Sequence, residues 1–418
     1  YNKRNVSAKS TWQAIFGAAP ASPNPHETRS AATHLHMDLF THGATGAFIG
    51  WALPQRRAGV AAARMIIIGA VLPDADVFIE PLVGPHSVFA HRGFSHSLLG
   101  VAVLAPLVAL VALRFSREKR LSRLVPLIAI GMLSHVLLDL PTPMGVMLFS
   151  PSRKYVHLDF LGYIDWSLLT VALAVLLTVW TYANREAAMR RGILSVVLLS
   201  ALSWWLFAEW PSLAFSFAST AEEAAEEHLR TFYPLVLGGL LLGFLIACAK
   251  DGWGFRQSRT QFGRIGVAAL SVYLALCLTA QAFAFGLIKQ FSQERGIQVM
   301  RRAAGRMGYA SLVGPLRWTG LVLAPEGVYL AQIMPLGDSR PTFTFFPSSI
   351  DNPLVTRTRS IPEVSDFLSE ARFPVTRYRQ EKGQHIIEYQ EYGLSWRPLL
   401  RVVLNERQEV VSVGGIAH

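Results

Sequence analysis

A series of long apolar segments between residues 38 and 286 constrains the fold of this chain more than any other feature. A helix needs about 20 mostly apolar residues to cross a bilayer, with a range of roughly 17–25, and its backbone polar groups must be satisfied internally. The sequence predicts a membrane-embedded bundle of about eight helices, or fewer if the first two short segments are re-entrant. The predicted spans are residues 38–54, 58–73, 97–114, 121–141, 161–182, 192–210, 232–250 and 264–286.

The last part of the chain has the pattern of a soluble domain. A basic amphipathic stretch at 293–306 is predicted to lie at the membrane surface. Short strand-like runs separated by turn residues follow it, with one short helix at 363–371. The predicted strands are 316–323, 327–334, 342–346, 385–392 and 399–404. The expected fold class is an all-α polytopic membrane helical bundle with a small C-terminal α+β soluble domain.

These patterns divide the chain into three parts. Residues 1–36 are polar, contain Pro and Ser, and are expected to form a disordered or non-native tail. Residues 37–290 form the predicted transmembrane domain, and residues 291–418 the predicted extracytoplasmic α+β domain. The two cysteines, Cys248 and Cys277, lie in apolar stretches and imply no disulfide framework.

The positive charge is concentrated in short loops between the apolar segments. The formal net charge is +11, and its Arg and Lys residues cluster at 56–57, 114–123, 185–191 and 250–264. Cytoplasmic loops carry this excess under the positive-inside rule, which argues against nucleic acid as a partner. With these loops inside, the C-terminal domain and one set of His and Asp residues all fall outside. The set is His42, Asp74, Asp76, His91, His96, His135, Asp139, His157 and Asp165.

Ionisable groups at the ends of apolar helices are costly, and they indicate a functional site. Histidine and carboxylate together are ligands of zinc and similar metals. His135 and Asp139 are four residues apart and share one helix face. Nearby, Arg92 offers a planar fork of donors for phosphate or carboxylate, and Ser95 or Ser97 can cap the next helix.

Each of these residues also has a simpler interpretation. A histidine at a helix end is often only a hydrogen-bonded interfacial residue, and Asp74 and Asp76 could be solvated after a helix stop. His135 and Asp139 could form a structural pair. The convergence of several predicted helices on one membrane face favours the metal-binding interpretation over these alternatives.

Four motifs in this order resemble one family, the LexA-regulated, inner-membrane metal-dependent hydrolases of bacteria. They are Met37-Asp38-Leu39-Phe40-Thr41-His42-Gly43, Leu72-Pro73-Asp74-Ala75-Asp76, His91-Arg92-Gly93-Phe94-Ser95-His96-Ser97 and Ser134-His135-Val136-Leu137-Leu138-Asp139. Asp165 resembles the next acidic position of that family. The family is distantly similar to zinc-dependent phospholipases C. The resemblance implies a divalent metal, with zinc first and manganese or iron as alternatives. The implied ligands are His42, Asp74, His96, His135 and Asp139. The N-terminal metal ligand of the soluble relatives has no counterpart here, which leaves the number of metals open.

The predicted function is metal-dependent hydrolysis of a phosphoester or lipid-linked substrate at the outer face of a bacterial inner membrane. Asp76 or His91 would transfer protons, and Arg92 would stabilise charge on the substrate in the transition state. The predicted partners are the lipid bilayer and this substrate, with the oligomeric state left open. A metal-ion transporter or sensor is the first alternative, and a structural envelope protein with a polar interfacial cap is the second.

Overall fold

The computed structural model describes residues 25–53, 55–83, 87–162, 165–209, 220–306, 316–337, 340–392 and 399–416. Helices fill the first part of the chain. They are α1 (Pro25–Ala52), α2 (Gln55–Val71), α3 (Glu80–Val83), α4 (Leu98–Phe115), α5 (Leu121–Asp139), α6 (Trp166–Tyr182), α7 (Ala188–Glu209), α8 (Thr220–Ala249), α9 (Trp253–Arg256) and α10 (Arg259–Glu294). Each of the eight predicted spans coincides with most of one long helix. Helix α1 begins at Pro25, inside the predicted tail, and residues 1–24 lie outside the described residues.

Three of the described helices are long and apolar enough to cross a membrane: α4, α5 and α10. Helix α6 and the Pro234–Ala249 part of α8 are shorter apolar helices. Many large apolar side chains on these helices are exposed, as lipid-facing residues are, and examples are Val111, Ile246 and Val272. The predicted count of eight spans is finer than this observation and remains a prediction.

The helices that carry the His and Asp motifs pack closely through small residues. Gly69 of α2 lies against the backbone of Ile128 in α5, and Gly131 of α5 lies against the backbone of Ile66 in α2. Gly46 and Gly50 of α1 meet α2 in the same way. Small residues at helix contacts let backbones approach closely, a common packing mode in membranes. The approach brings the C-terminal ends of α2 and α5 next to His42 and Gly43 in the interior of α1.

The C-terminal domain contains two antiparallel sheets in the described residues. Both are meanders, because every strand pairs with its neighbour in sequence, in the orders β1-β2-β3-β4 and β5-β6-β7-β8. Two short helices connect the sheets, α11 (Pro353–Thr358) and α12 (Pro362–Glu370). The strands are β1 (Arg301–Gly305), β2 (Trp318–Ala324), β3 (Gly327–Ile333), β4 (Thr344–Pro347), β5 (Pro374–Glu381), β6 (Gln384–Glu391), β7 (Leu399–Leu404) and β8 (Val410–Ile416).

The five predicted strands and the predicted helix at 363–371 are confirmed, to within a few residues at each end. The stretch 293–306 contains a helix end and a strand, and its predicted location at the membrane surface stays a prediction. Helix α10 ends at Glu294, and Arg301–Gly305 pair with β2 as a strand. Strands β1, β5 and β8 and the division into two sheets were not predicted.

The first sheet packs directly on the last membrane helix. Ala284 and Ile288 of α10 share a buried core with Trp318 and Val322 of β2. A second core joins the two sheets through Leu321, Val328 and Phe373. The C-terminal domain is therefore continuous with the helical part through α10.

Candidate metal centre

The candidate centre lies where three helical segments end or begin. Helix α2 stops at Val71, and a 3-10 turn over Leu72–Phe78, with Pro73 near its start, presents Asp74 and Asp76. A second 3-10 turn, Phe94–His96, precedes α4 and presents His96. Asp139 is the last residue of α5, and His135 lies one turn before it. The four candidate ligand side chains therefore reach a common point at the end of the helices.

Four side chains form the centre itself: Asp74, His96, His135 and Asp139. All four residues are buried, and their ligand atoms lie within 4.8 Å of one another. His96 Nε2 lies 3.4 Å from Asp74 Oδ1 and 3.2 Å from Asp139 Oδ2. His135 Nε2 lies 3.2 Å from the same Asp74 oxygen and 3.3 Å from the same Asp139 oxygen. The two Nε2 atoms are 3.0 Å apart.

These separations fit the donor set of a tetrahedral metal ion. Ligand bonds of about 2.0–2.2 Å at tetrahedral angles place neighbouring ligand atoms roughly 3.3–3.6 Å apart. The nitrogen-to-oxygen distances of 3.2–3.4 Å are close to that range. Asp139 Oδ2 is buried and faces the Nε2 atoms of both histidines. The residues present therefore fit a divalent cation.

The outer ring nitrogens of both histidines are held by fixed partners. His135 Nδ1 donates to the carbonyl oxygen of Ala70 at 2.7 Å, which leaves the lone pair of Nε2 facing the centre when the ring is neutral. His96 Nδ1 lies 2.9 Å from Ser95 Oγ and 3.1 Å from Asp76 Oδ2. Carboxylates and carbonyls in this position fix the orientation of metal-binding imidazoles.

Asp76 belongs to an outer layer of residues that surround the four candidate ligands, and it contacts several members of this layer. Its Oδ2 accepts hydrogen bonds from the Ser95 hydroxyl and, at 3.3 Å, from the backbone N–H of Arg92. Its Oδ1 lies 2.7 Å from His91 Nδ1. Burial alone would raise the pKa of Asp76, but hydrogen bonds from His91 and His96 hold it well below its usual range. Asp76 is therefore an anion that orients its neighbours.

The electrostatics of His96 reflect the carboxylates around it. Burial opposes the charged imidazolium, but hydrogen bonds to Asp139, Asp74 and Asp76 outweigh burial and raise the pKa of His96 to about 9. The same carboxylates would attract a metal cation, which binds the neutral form of the ring.

His42 borders the cluster on its other side. Its Nε2 lies 3.4 Å from Asp139 Oδ1, and its ring stacks on His135 with the ring centroids 3.7 Å apart. The structure thus brings all five implied ligands together. His42 meets the opposite oxygen of Asp139 from the one that faces His96 and His135.

Arg92 is buried and contacts a candidate ligand, whereas the sequence predicted that it would contact the substrate. Its side chain is 1% exposed, and Nη2 donates to Asp139 Oδ1 at 3.2 Å while Nη1 donates to Thr142 Oγ1 at 2.6 Å. Its backbone adopts a φ of 64°, which is uncommon for a side chain other than glycine. In this arrangement Arg92 holds Asp139, and a substrate would have to displace these contacts to reach the guanidinium.

His91 is the most exposed of the predicted site residues in this outer layer. Its side chain is 20% exposed, while that of Asp76 is 5% exposed. The backbone N–H of His91 donates to Glu80 Oε2 at 2.9 Å, which fixes the loop. The contact with Asp76 holds the ring through Nδ1.

Asp165 takes no part in the centre. It caps helix α6 by accepting from the backbone N–H of Leu168 at 3.1 Å, and it pairs with Arg306. Three contributors to the site were not predicted from the sequence: the Ala70 carbonyl, the Ser95 hydroxyl as a partner of Asp76, and Thr142. The backbone carbonyl gives no sequence signal, while Ser95 was noted only as a capping candidate.

Comparison with known proteins identifies a related membrane family. Residues 37–213 match the family model of the YdjM inner membrane protein. This matched region contains every residue of the candidate centre. The chain is also 36% identical over 111 residues to the inner membrane protein YbcI of Escherichia coli (strain K12). That match covers 26% of this chain and 62% of YbcI. No solved structure matches the chain.

The comparisons and the helices together support a membrane protein, and the structure adds a buried His and Asp cluster able to bind a metal. Both relatives are named only as inner membrane proteins.

Proposed function

We propose that this protein is a membrane-bound, metal-dependent hydrolase. One observation carries the proposal: two imidazole nitrogens and two carboxylate oxygens face one another at 3.0–3.4 Å in a buried site. A divalent cation between two neutral imidazoles and two carboxylates would satisfy all four groups at these distances. Asp74, His96, His135 and Asp139 would hold a divalent metal, with zinc as the first choice and His42 beside it.

A metal bound here would supply an activated water and would polarise a phosphoryl or acyl oxygen. The chain itself would orient the ligands and move protons. Asp76 would hold His91 through Nδ1, and His91 would exchange a proton with the substrate or water through its other nitrogen. Arg92 would keep Asp139 in place and offset its negative charge.

The position of the centre favours hydrolysis over transport. Asp139 ends α5, His96 precedes α4, and Asp74 follows α2. Transporter sites lie near the middle of the membrane, in interrupted helices. A centre at the helix ends would instead lie close to one face of the membrane, which suits an enzyme that works at the membrane surface.

The surroundings support a lipid or lipid-linked phosphoester as the substrate. The segments that carry the centre expose large apolar side chains next to it: Phe78 is 74% exposed, Leu82 84%, Phe89 52% and Phe149 63%. These residues would contact acyl chains at the level of the lipid headgroups. We further propose that the centre and the C-terminal domain lie at the outer face of a bacterial inner membrane, with eight membrane-spanning helices in all.

The closed donor set is a specific observation in favour of a second candidate function. Four protein ligands complete a tetrahedral site, as in structural zinc centres, whereas catalytic zinc keeps a position for water. The second candidate is therefore a membrane metal sensor or carrier that binds the ion without chemistry.

The first experiment measures the metal content of detergent-purified protein, wild type beside the His135→Ala, Asp139→Ala double variant. Stoichiometric metal that is lost in the variant supports the centre. Absence of metal from both, even after incubation with zinc, manganese or iron salts, contradicts the proposal.

A second experiment separates the two candidates. Co²⁺-substituted protein is titrated with inorganic phosphate while its visible absorption is recorded. An enzyme with an accessible metal position should show altered cobalt bands, together with hydrolysis of bis(p-nitrophenyl) phosphate. Unchanged bands and no hydrolysis would favour the sensor or carrier.

A further inference from the structure

The described residues between α5 and α6 pack on the loop that carries Arg92. We name these residues, 140–162 together with Asp165, the α5–α6 connection. Its Thr142 accepts a hydrogen bond from Arg92 and donates one to the carbonyl oxygen of Asp139 at 2.7 Å. The backbone N–H of Met147 donates to the Arg92 carbonyl at 2.9 Å. The connection therefore touches Asp139 and Arg92 directly.

Three side chains from the C-terminal part of the chain, Gln281, Arg306 and Arg372, contact this connection. Arg372, just before β5, forms a bidentate ion pair with Asp159. Its Nη1 donates to Oδ1 at 2.8 Å and its Nη2 to Oδ2 at 2.6 Å. Gln281 of α10 donates to the carbonyl oxygens of Leu158 at 2.6 Å and Ala304 at 2.9 Å. These contacts join the connection to both sheets and to the last membrane helix.

The third contact lies at the C-terminal end of the connection, at Asp165. Arg306, immediately after β1, forms an ion pair with Asp165, and Tyr273 of α10 donates to the same carboxylate at 2.7 Å. Arg306 and Asp165 are both buried. Paired guanidinium and carboxylate groups make strong, directional hydrogen bonds, and their geometry fixes the backbone that carries them.

One backbone hydrogen bond connects the residue before Asp159 to the residue after Asp139. The backbone N–H of Leu158 donates to the carbonyl oxygen of Leu140 at 3.0 Å, and Leu140 follows Asp139 in the chain. Asp159 itself has a φ of 61°, a conformation rarely adopted without outside support. Its carboxylate is held by Arg372, which stands 213 residues later in the chain.

From these contacts we infer that the C-terminal domain is a positioning device for the metal centre, acting through Arg372 on the α5–α6 connection. In this arrangement the two sheets hold the connection against Asp139 and Arg92, and so slow the escape of a bound cation. The region matched by the YdjM family model ends at residue 213 and does not include Arg372. The inference rests on the proposed metal centre for one of its two tests and is independent of it for the other.

The independent test is hydrogen–deuterium exchange of the full-length protein in detergent, comparing wild type with the Arg372→Ala variant. The amides of Met147, Val156 and Leu158 are hydrogen-bonded within the connection and its contacts. We expect their exchange to be at least tenfold faster in the variant, with the amides of α4 unchanged. Arg379→Ala is the matched control, since Arg379 pairs with Glu381 and Glu388 inside the second sheet.

The dependent test measures how fast a chelator removes zinc from the loaded protein, well below the unfolding temperature. Arg372→Ala and Asp159→Ala should each release zinc about tenfold faster than wild type and Arg379→Ala. Arg372→Lys keeps the positive charge but loses the bidentate geometry of the guanidinium, and should release zinc at an intermediate rate.

The outcomes separate the two proposals. Faster exchange in the connection, in a protein that binds no metal, would support the positioning contact and contradict the proposed function. Zinc binding with release and exchange unchanged by Arg372→Ala would overturn the positioning inference and leave the metal centre intact.

Discussion

His96 and His135 each use both ring nitrogens, one toward the centre and one toward a fixed acceptor. The acceptors differ: His135 uses a backbone carbonyl, and His96 uses the Asp76 carboxylate with Ser95. The sequence predicts the histidines and both aspartates as a group, because imidazole and carboxylate at helix ends are uncommon in a membrane segment. It predicts Asp76 or His91 as the proton-transfer group, and the structure shows that Asp76 contacts both His91 and His96.

Replacing Asp76 by Asn tests this orienting role. Asn keeps the size but removes the negative charge that holds both imidazoles, so zinc affinity should fall about 10- to 100-fold. Competition with a zinc indicator measures the change. Asp366→Asn, at an exposed position of α12, is the control and should bind zinc as wild type does. Wild-type affinity in Asp76→Asn would show that the orienting contact is dispensable.

The raised pKa of His96 makes the stability of the metal-free protein depend on pH. His96 has an ordinary value of 6.5 and a value of about 9 in the folded protein. Its protonated form therefore stabilises the fold fully below pH 6.5, and this contribution is lost as the pH rises through 9. We expect the thermal unfolding midpoint of metal-free protein to fall across this window.

Thermal unfolding at several pH values, with a chelator present, measures this dependence. The His96→Gln variant lacks the titrating ring and should have a flatter profile than wild type. A wild-type midpoint that stays constant or rises between pH 6.5 and 9 would contradict the prediction.

At the scale of single elements, the contact between α2 and α5 decides whether the ligands meet. A Cβ on Gly69 would lie 2.3 Å from the carbonyl oxygen of Ile128, and a Cβ on Gly131 would lie 2.2 Å from that of Ile66. Neither backbone can give way without moving its helix. Because Asp74 follows α2 and His135 lies in α5, a shift between these helices separates two candidate ligands.

The Gly69→Val substitution should therefore damage both the fold and the centre. Overpacking of this kind typically costs about 1–3 kcal/mol or more, and we expect a lower unfolding midpoint together with weaker zinc binding. Gly239→Val in α8 is the control, since a Cβ built there has no atom of another described element within 4 Å. If Gly69→Val has the same unfolding midpoint and the same zinc affinity as wild type, the close contact is not required.

The same scale shows why some elements were predicted and others were missed. The apolar segments are long enough to be recognised individually, and β2, β3 and β7 are rich in Val, Leu and other β-forming residues. Strand β1, with the sequence Arg-Arg-Ala-Ala-Gly, lacks such residues and forms because β2 offers a pairing edge. Strand β8 carries two glycines and is held by pairing with β7.

At the scale of the whole molecule, the proposed orientation places the centre and both sheets on the outer side. Reporter fusions after Lys119 and after Ile350 should then lie on opposite sides of the membrane. Alkaline phosphatase should be active only in the second fusion, and green fluorescent protein should fluoresce only in the first. The same response from both positions would contradict the orientation.

The sequence by itself determined where the long helices lie, which residues gather at their ends, and that a strand-rich domain follows. These properties depend on the length and polarity of local segments, which are visible without a fold. Only the tertiary structure decided that Arg92 holds Asp139, that Asp165 pairs with Arg306, and that Arg372 reaches Asp159. Such contacts join groups far apart in the chain, and no local pattern specifies which buried charge will meet which partner.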